Sequence, residues 1–184
     1  MAVTEHITTI DGNYTCPQRA AAYLLVDGDE AAFVDNVKRF AVPDLLAALS
    51  QRGLSSEQVR YIIVTHVHLA HSGGTAELLK HCPNATVIAH PRAGRHLIDP
   101  SKLIAAARPI YGDELFEREF GVIEPVPAER VRIVEEGDTL DFGARTLEFL
   151  HTPGHAKHHL SVIDPGTESA LTGDAYGLAQ LRLQ

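Results

Sequence analysis

Three histidines at positions 66, 68 and 71 sit inside Tyr-Ile-Ile-Val-Thr-His-Val-His-Leu-Ala-His-Ser-Gly-Gly, residues 61–74 of a 184-residue chain. Side chains two apart on an extended backbone project to the same side. His66 and His68 therefore face one way, and His71 swings back to join them where the chain turns into a helix. Neutral imidazole nitrogens clustered at a strand end are what a zinc-like cation takes, at about 2 Å from the metal. A second window, residues 149–161, reads Phe-Leu-His-Thr-Pro-Gly-His-Ala-Lys-His-His-Leu-Ser and sets His155 in a Pro-Gly turn. A third, Leu171-Thr172-Gly173-Asp174, ends a strand in glycine and then a carboxylate. Loops at the end of a sheet are where a rigid scaffold presents ligands. Together the three windows offer imidazoles and a carboxylate to one sheet edge.

The elements that must position these residues follow from pattern. Residues 60–65 are apolar on both faces, which places that strand inside a sheet covered on two sides. Upstream, residues 3–10 read as a strand, and 20–26 and 31–34 flank Asp27-Gly28-Asp29-Glu30 as a hairpin. Val42, Leu45, Leu46 and Leu49 mark one helical face, with Pro43 in its first turn and Gly53 at its stop. Ser55 and Gln58 have the form of a capping box. Downstream, the pattern predicts a helix over 72–82 and a strand over 86–89. Residues 91–120 read as helical, broken at Pro100 and Pro109, and serve either as a lid over a pocket or as packed helices. From residue 131 the chain is β again, with strands expected at 131–134, 139–142, 146–150, 159–163 and 170–172. The sum is a single α/β layered domain over 1–184, with a helical insertion at about 91–120.

Composition excludes several classes. Lys and Arg number 16 against 24 Asp and Glu, a net charge of −8 that argues against a nucleic-acid footprint. No apolar run reaches a membrane span, and the N-terminus lacks a basic-then-apolar signal pattern. Cys16 and Cys82 read as two reduced thiols, as in a cytoplasmic protein.

Taken in order, His-x-His-x-x-His after an apolar strand, then Thr-Pro-Gly-His, then Thr-Gly-Asp, resemble the metallo-β-lactamase fold superfamily, and within it the hydrolases related to glyoxalase II and the lactonases. The resemblance runs from the first hairpin through Asp174. It implies a four-layer αβ/βα sandwich with a dinuclear metal site, usually zinc and sometimes iron or manganese. It assigns His66, His68 and His155 to the first metal, His71 to the second, and Asp174 as the carboxylate bridging the two. A metal-bound hydroxide would attack a carbonyl carbon or phosphorus. His159 matches a histidine that follows Thr-Pro-Gly-His, and takes a role orienting the ligands. The implied function is metal-dependent hydrolysis of a small-molecule ester, thioester or lactone. The alternatives are a phosphodiesterase or nuclease of the same fold, redox chemistry on iron, and a non-catalytic metal-binding or sensing protein. Neither nucleic acid nor membrane is an expected partner, and a homodimer stays open.

Two departures qualify the resemblance. Ala70 stands where the superfamily's first motif has aspartate, and a methyl group neither coordinates a metal nor takes a proton. The second site is therefore expected to be weak and turnover impaired. With the surrounding motif residues in place, Ala70 reads more readily as a substitution disabling an intact enzyme than as a natural loss. The superfamily's last ligand histidine has no counterpart before Gln184. A chain of ~250–300 residues would be expected. The sandwich is thus expected to be C-terminally incomplete, with apolar faces that favour a partner or aggregation. Gly73 and Gly74 are expected to let the helix start approach the metal loop closely. Tyr176 is a weaker candidate, as a hydrogen-bond donor to a developing oxyanion. His151 reads as structural or as orienting a ligand, and His158 as solvated. His6, His81, His90 and His96 carry no functional assignment, although the place of His90 before Pro91 allows it to lie near the pocket.

Overall fold

The computed structural model describes residues 5–176 and arranges their strands in two sheets. The first runs β1 (Ile7–Asp11), β2 (Ala21–Asp27), β3 (Glu30–Val34), β4 (Val59–Val64), β5 (Thr86–Ala89), β6 (Val131–Ile133) in spatial order. Pairing is antiparallel from β1 to β3 and parallel from β3 to β6. The second sheet is antiparallel, built from β7 (Thr139–Phe142), β8 (Arg145–His151), β9 (Leu160–Asp164) and β10 (Ser169–Leu171) in the order β10-β9-β8-β7.

The double-faced apolarity of β4 has a direct structural reading. Ile63 enters the core between the sheets, with Leu25, Phe142, Phe149 and Val162. Ile62 and Val64 point the other way, into the core shared with the helices. Those helices are α1 (Val42–Gln51), α2 (Leu69–Ser72), α3 (Thr75–His81), α4 (Pro91–Ile98), α5 (Ser101–Tyr111) and α6 (Asp113–Glu119). Leu45 and Leu49 of α1, Leu78 of α3, and Ala93 and Leu97 of α4 all belong to this outer core. Among the described residues the layers thus run helix, sheet, sheet.

Several boundaries differ from the sequence pattern. The first strand begins at Ile7, while residues 1–4 lie outside the described ones. The helix expected over 72–82 is two pieces, α2 and α3, interrupted at Gly73-Gly74. A Cβ at Gly73 would lie 2.6 Å from the Leu69 carbonyl oxygen, and one at Gly74 would lie 2.9 Å from those of Asn36 and Lys38. Backbone crowding, against α2 itself at Gly73 and against the loop after β3 at Gly74, therefore demands glycine there. Pro109 does not break the helical segment and lies inside α5, where the break comes instead at Gly112 with φ 74°. Pro109 falls in the last turn, so it forfeits one hydrogen bond, to the carbonyl of an exposed Ala105 that water can reach. The segment also divides in function. α4 is part of the helical layer, whereas α5 and α6 build their own cluster of Ala107, Phe116 and Phe120 around Leu69. No described helix is long and apolar enough to cross a membrane. Both cysteines are free, Cys16 exposed and Cys82 buried, where burial pushes the thiol up to about 12.

Candidate metal centre

β4 leads into the histidines and β3 fixes them. Asp35, the residue after β3, is 1% exposed and adopts φ 57°, which turns its carboxylate toward the end of β4. One oxygen accepts the Thr65 N–H at 2.8 Å, the other accepts the Thr65 hydroxyl at 2.8 Å and faces His71 Nδ1 at 2.7 Å. A carboxylate only accepts, so His71 carries its proton on Nδ1 and turns Nε2 outward. The Thr65 hydroxyl, having given its hydrogen to Asp35, accepts from His66 Nδ1 at 3.1 Å. The His66 ring thereby presents a bare Nε2. One carboxylate thereby sets the tautomer of two histidines, the arrangement by which outer groups orient metal-binding imidazoles. Leu69, between His68 and Ala70, is buried against Ala107, Phe116 and Phe120, which pins α2 in place.

The second sheet supplies the rest. Asp174 Oδ1 lies 3.3 Å from His71 Nε2, while Oδ2 lies 3.3 Å from His155 Nε2 and 4.0 Å from His66 Nε2. His155 Nε2 is 2.8 Å from His68 Nδ1. Fully buried His159 bonds the Thr152 hydroxyl through Nδ1 at 2.8 Å and accepts the Asp174 N–H on Nε2 at 3.2 Å. It holds the loop that carries the carboxylate rather than touching the carboxylate itself. Gly173 has φ 48°, and a Cβ there would lie 2.7 Å from Thr65 Oγ1 and 2.8 Å from His159 Nε2. Gly173→Ala is expected to cost about 2 kcal/mol in chemical denaturation through overpacking and left-handed backbone strain. It should also displace Asp174 and weaken metal uptake.

Two donor triads result. His66, His68 and His155 form one, His66, His71 and Asp174 the other, with the ligand atoms of each within 4.8 Å of one another. Either group could hold a metal ion. The test of fit is His66 Nε2, a buried nitrogen without a hydrogen-bond partner among the described residues. An unsatisfied buried polar atom is costly, and a cation at the cluster removes the cost. His66 serves both groups with one nitrogen, so simultaneous occupancy leaves the second position with His71 and Asp174 alone. Ala70, half-buried in α2, adds nothing to it.

The electrostatics divide the cluster into rings held neutral, which suit a cation, and one ring held charged. Burial, then the neighbouring imidazoles, push His66 far below the usual histidine range and lower His68 as well. For His71 burial acts downward, but Asp35 and Asp174 outweigh it and hold the ring up at about 10, so the metal-free ring keeps a proton on Nε2 beside Asp174 that a cation would have to displace. Burial lowers His90 and His158 to about 4 each. Between pH 4 and 6.5 the unfolded chain therefore takes up protons at these two rings that the folded chain refuses. Metal-free stability should rise with pH across that window. The share from His71 has the opposite sign, present below 6.5 and lost as pH climbs toward 10. Denaturation of chelator-treated protein is expected to show a higher midpoint at pH 7 than at pH 5.

The five residues that the sequence resemblance nominated as ligands come together here, and His159 lies directly behind them. His151 is apart, its Nε2 3.2 Å from the Val134 carbonyl and its ring 4.2 Å from that of His90. His158 is half-buried rather than solvated, because the turn after Gly154 folds it to within 5.8 Å of the His68 ring. Tyr176 is 90% exposed, a surface tyrosine. Asp35 is the residue that pattern reading missed. Its one signal is an acidic residue ending the apolar run Phe33-Val34.

A sandwich of two sheets with strand-end histidines and a carboxylate gathered at one edge is a fold built around a metal-binding edge. The chain belongs to the metallo-beta-lactamase superfamily, whose family model matches residues 18–178. It is 31% identical over 124 residues to a metallo-beta-lactamase fold-containing protein of Sulfurisphaera tokodaii, covering 66% of this chain and 46% of that protein. It is 32% identical over 139 residues to a coenzyme F420H(2) oxidase of Methanothermobacter marburgensis, covering 72% and 28%. A hydroxyacylglutathione hydrolase of Rhodopseudomonas palustris is 27% identical over 161 residues, with 88% and 49% covered. The chain thus spans less than half the length of these three relatives. Among solved structures, the archaeal superfamily protein from Sulfolobus tokodaii superposes with a TM-score of 0.71 at 24% identity, covering 89% of this chain and 61% of that one. A subclass B3 metallo-beta-lactamase from a soil metagenome library gives 0.67 at 24%, covering 89% and 56%. These two likenesses speak for the fold alone.

Proposed function

We propose that this chain is a metal-dependent hydrolase acting on a small-molecule ester, thioester or lactone, with zinc held by His66, His68 and His155. The observation that carries the reading is the bare, buried Nε2 of His66 at the meeting point of two donor triads. Zinc held there would supply an acidified water near neutral pH and polarise the substrate oxygen. The chain's own part is preorganisation. Asp35 holds two rings in the ligating tautomer, and His159 fixes the loop that presents Asp174. The two oxygens of Asp174 face different histidines, a placement suited to a carboxylate shared between two ions. With alanine at position 70 the second ion has two donors, so one tightly held ion and low turnover are expected. The hydroxyacylglutathione hydrolases among the relatives support a thioester in particular.

The test is metal analysis of purified protein beside a panel of thioester, lactone, aryl ester and bis-nitrophenyl phosphate substrates. One zinc per chain with chelator-sensitive hydrolysis of a carbonyl substrate supports the reading. Cleavage of the phosphodiester alone would move the chain to phosphorus chemistry. Tight zinc without any turnover, even after Ala70→Asp, would make it a binding or sensing protein. Redox chemistry on iron has one observation in its favour, the identity to the oxidase, and iron in freshly purified protein would support it.

A further inference from the structure

Beside the histidine cluster lies a cavity of about 560 Å³ lined by His68, Arg92, Arg95, Ala156, Lys157 and His158. A second cavity, of about 380 Å³, shares Arg92 and Lys157 and has Glu135 as its one carboxylate. Seven cations elsewhere in the chain are held by carboxylates. Lys38, Arg39, Arg60, Lys80, Arg108, Arg118 and Arg145 each have a carboxylate within 4.0 Å. Arg92, Arg95 and Lys157 have no such partner among the described residues. In a chain with net charge −8, three cations without a carboxylate partner are gathered on the lining of one cavity. Arg92 and Arg95 are three apart on α4, hence on neighbouring positions of one helical face. Both are exposed, and Lys157 reaches the same cavity from the loop that carries His155.

We propose that Arg92, Arg95 and Lys157 form a subsite for a compact anionic arm of the substrate, a carboxylate or a phosphate, outside the histidine cluster. This rests on the hydrolase reading, since the anion matters as the far end of a molecule whose reacting carbonyl lies at the cluster. Planar guanidinium groups suit either anion through paired N–H donors, and the lysine adds a point charge. His68 lines the cavity and also faces His155, so the subsite opens directly onto the donor triad.

The experiment titrates chelator-stripped, full chain with succinate, inorganic phosphate and neutral succinamide, following backbone amide resonances of residues 92–95 and 156–158. Removing the metal keeps the anions from ligating it. Succinate or phosphate is expected to bind in the millimolar range, succinamide not to bind, and the tighter anion identifies the arm. The R92M/R95M double variant should lose at least fivefold in that affinity while taking up zinc as the parent does. The proposal is overturned by equal anion binding in parent and variant, or by amide shifts elsewhere in the chain. Failure of the two readings separates cleanly. Zinc uptake and ester hydrolysis without anion binding sinks the subsite alone, while anion binding in a chain that takes no zinc sinks the hydrolase alone.

Discussion

Ala70→Asp is expected to raise zinc content from about one to about two ions per chain, and hydrolysis of the best panel substrate by roughly 10- to 100-fold. The reason lies in donor arithmetic. His66 contributes one nitrogen to two triads, so once the first ion holds it, the second position keeps only His71 and Asp174. A carboxylate immediately before His71 in the turn of α2 supplies a third donor to that position. It also supplies a hard oxygen ligand beside the water that the pair of ions would share. Metal analysis and initial rates on the same preparations check both halves. If neither stoichiometry nor rate moves, position 70 has no part in the second site.

Asp35→Ala should be the most damaging single change outside the donor atoms. It leaves the Thr65 N–H, the Thr65 hydroxyl and His71 Nδ1 without their acceptor in a site that is 1% exposed at Asp35. Breaking a buried pair of this kind costs about 3–5 kcal/mol, and loss of an orienting carboxylate lowers metal affinity by roughly 10- to 100-fold. Thermal denaturation of stripped protein reads the first effect and competition with a zinc chelator the second. Asp35→Asn is a useful partner, because it keeps an oxygen acceptor but loses the charge. It should recover part of the stability while remaining defective in zinc affinity. A zinc affinity unchanged in both variants would reduce Asp35 to a packing residue.

What was legible in the sequence, and what was not, divides along contact range. The strands at 86–89 and 139–142 match because proline, asparagine and glycine turns bound them locally. The three histidine and aspartate motifs were legible because each is a short run of uncommon residue types ending a strand. Asp35 was not, since its partners lie 30 and 36 residues further on and an acidic residue after a strand is ordinary. His158 was misplaced for a related reason. Lys157-His158-His159 reads as polar loop, yet packing against α4 and the first sheet turns two of those residues inward. The breaking power assigned to Pro109 failed because that rule holds for helix interiors, not for a last turn open to water.

Leu69 bears on how this scaffold tolerates exchange of parts. It is at once a residue of the metal-binding loop and the apolar neighbour of Ala107 on α5, Phe116 on α6 and Phe120 just after α6. The helical pair and the loop are therefore one module for the purposes of grafting. Transplanting residues 101–120 from a relative without matching the residue at 69 would leave either a void or a clash one position from His68. The hairpin acts as a splint, and its sequence would have to travel with that single leucine.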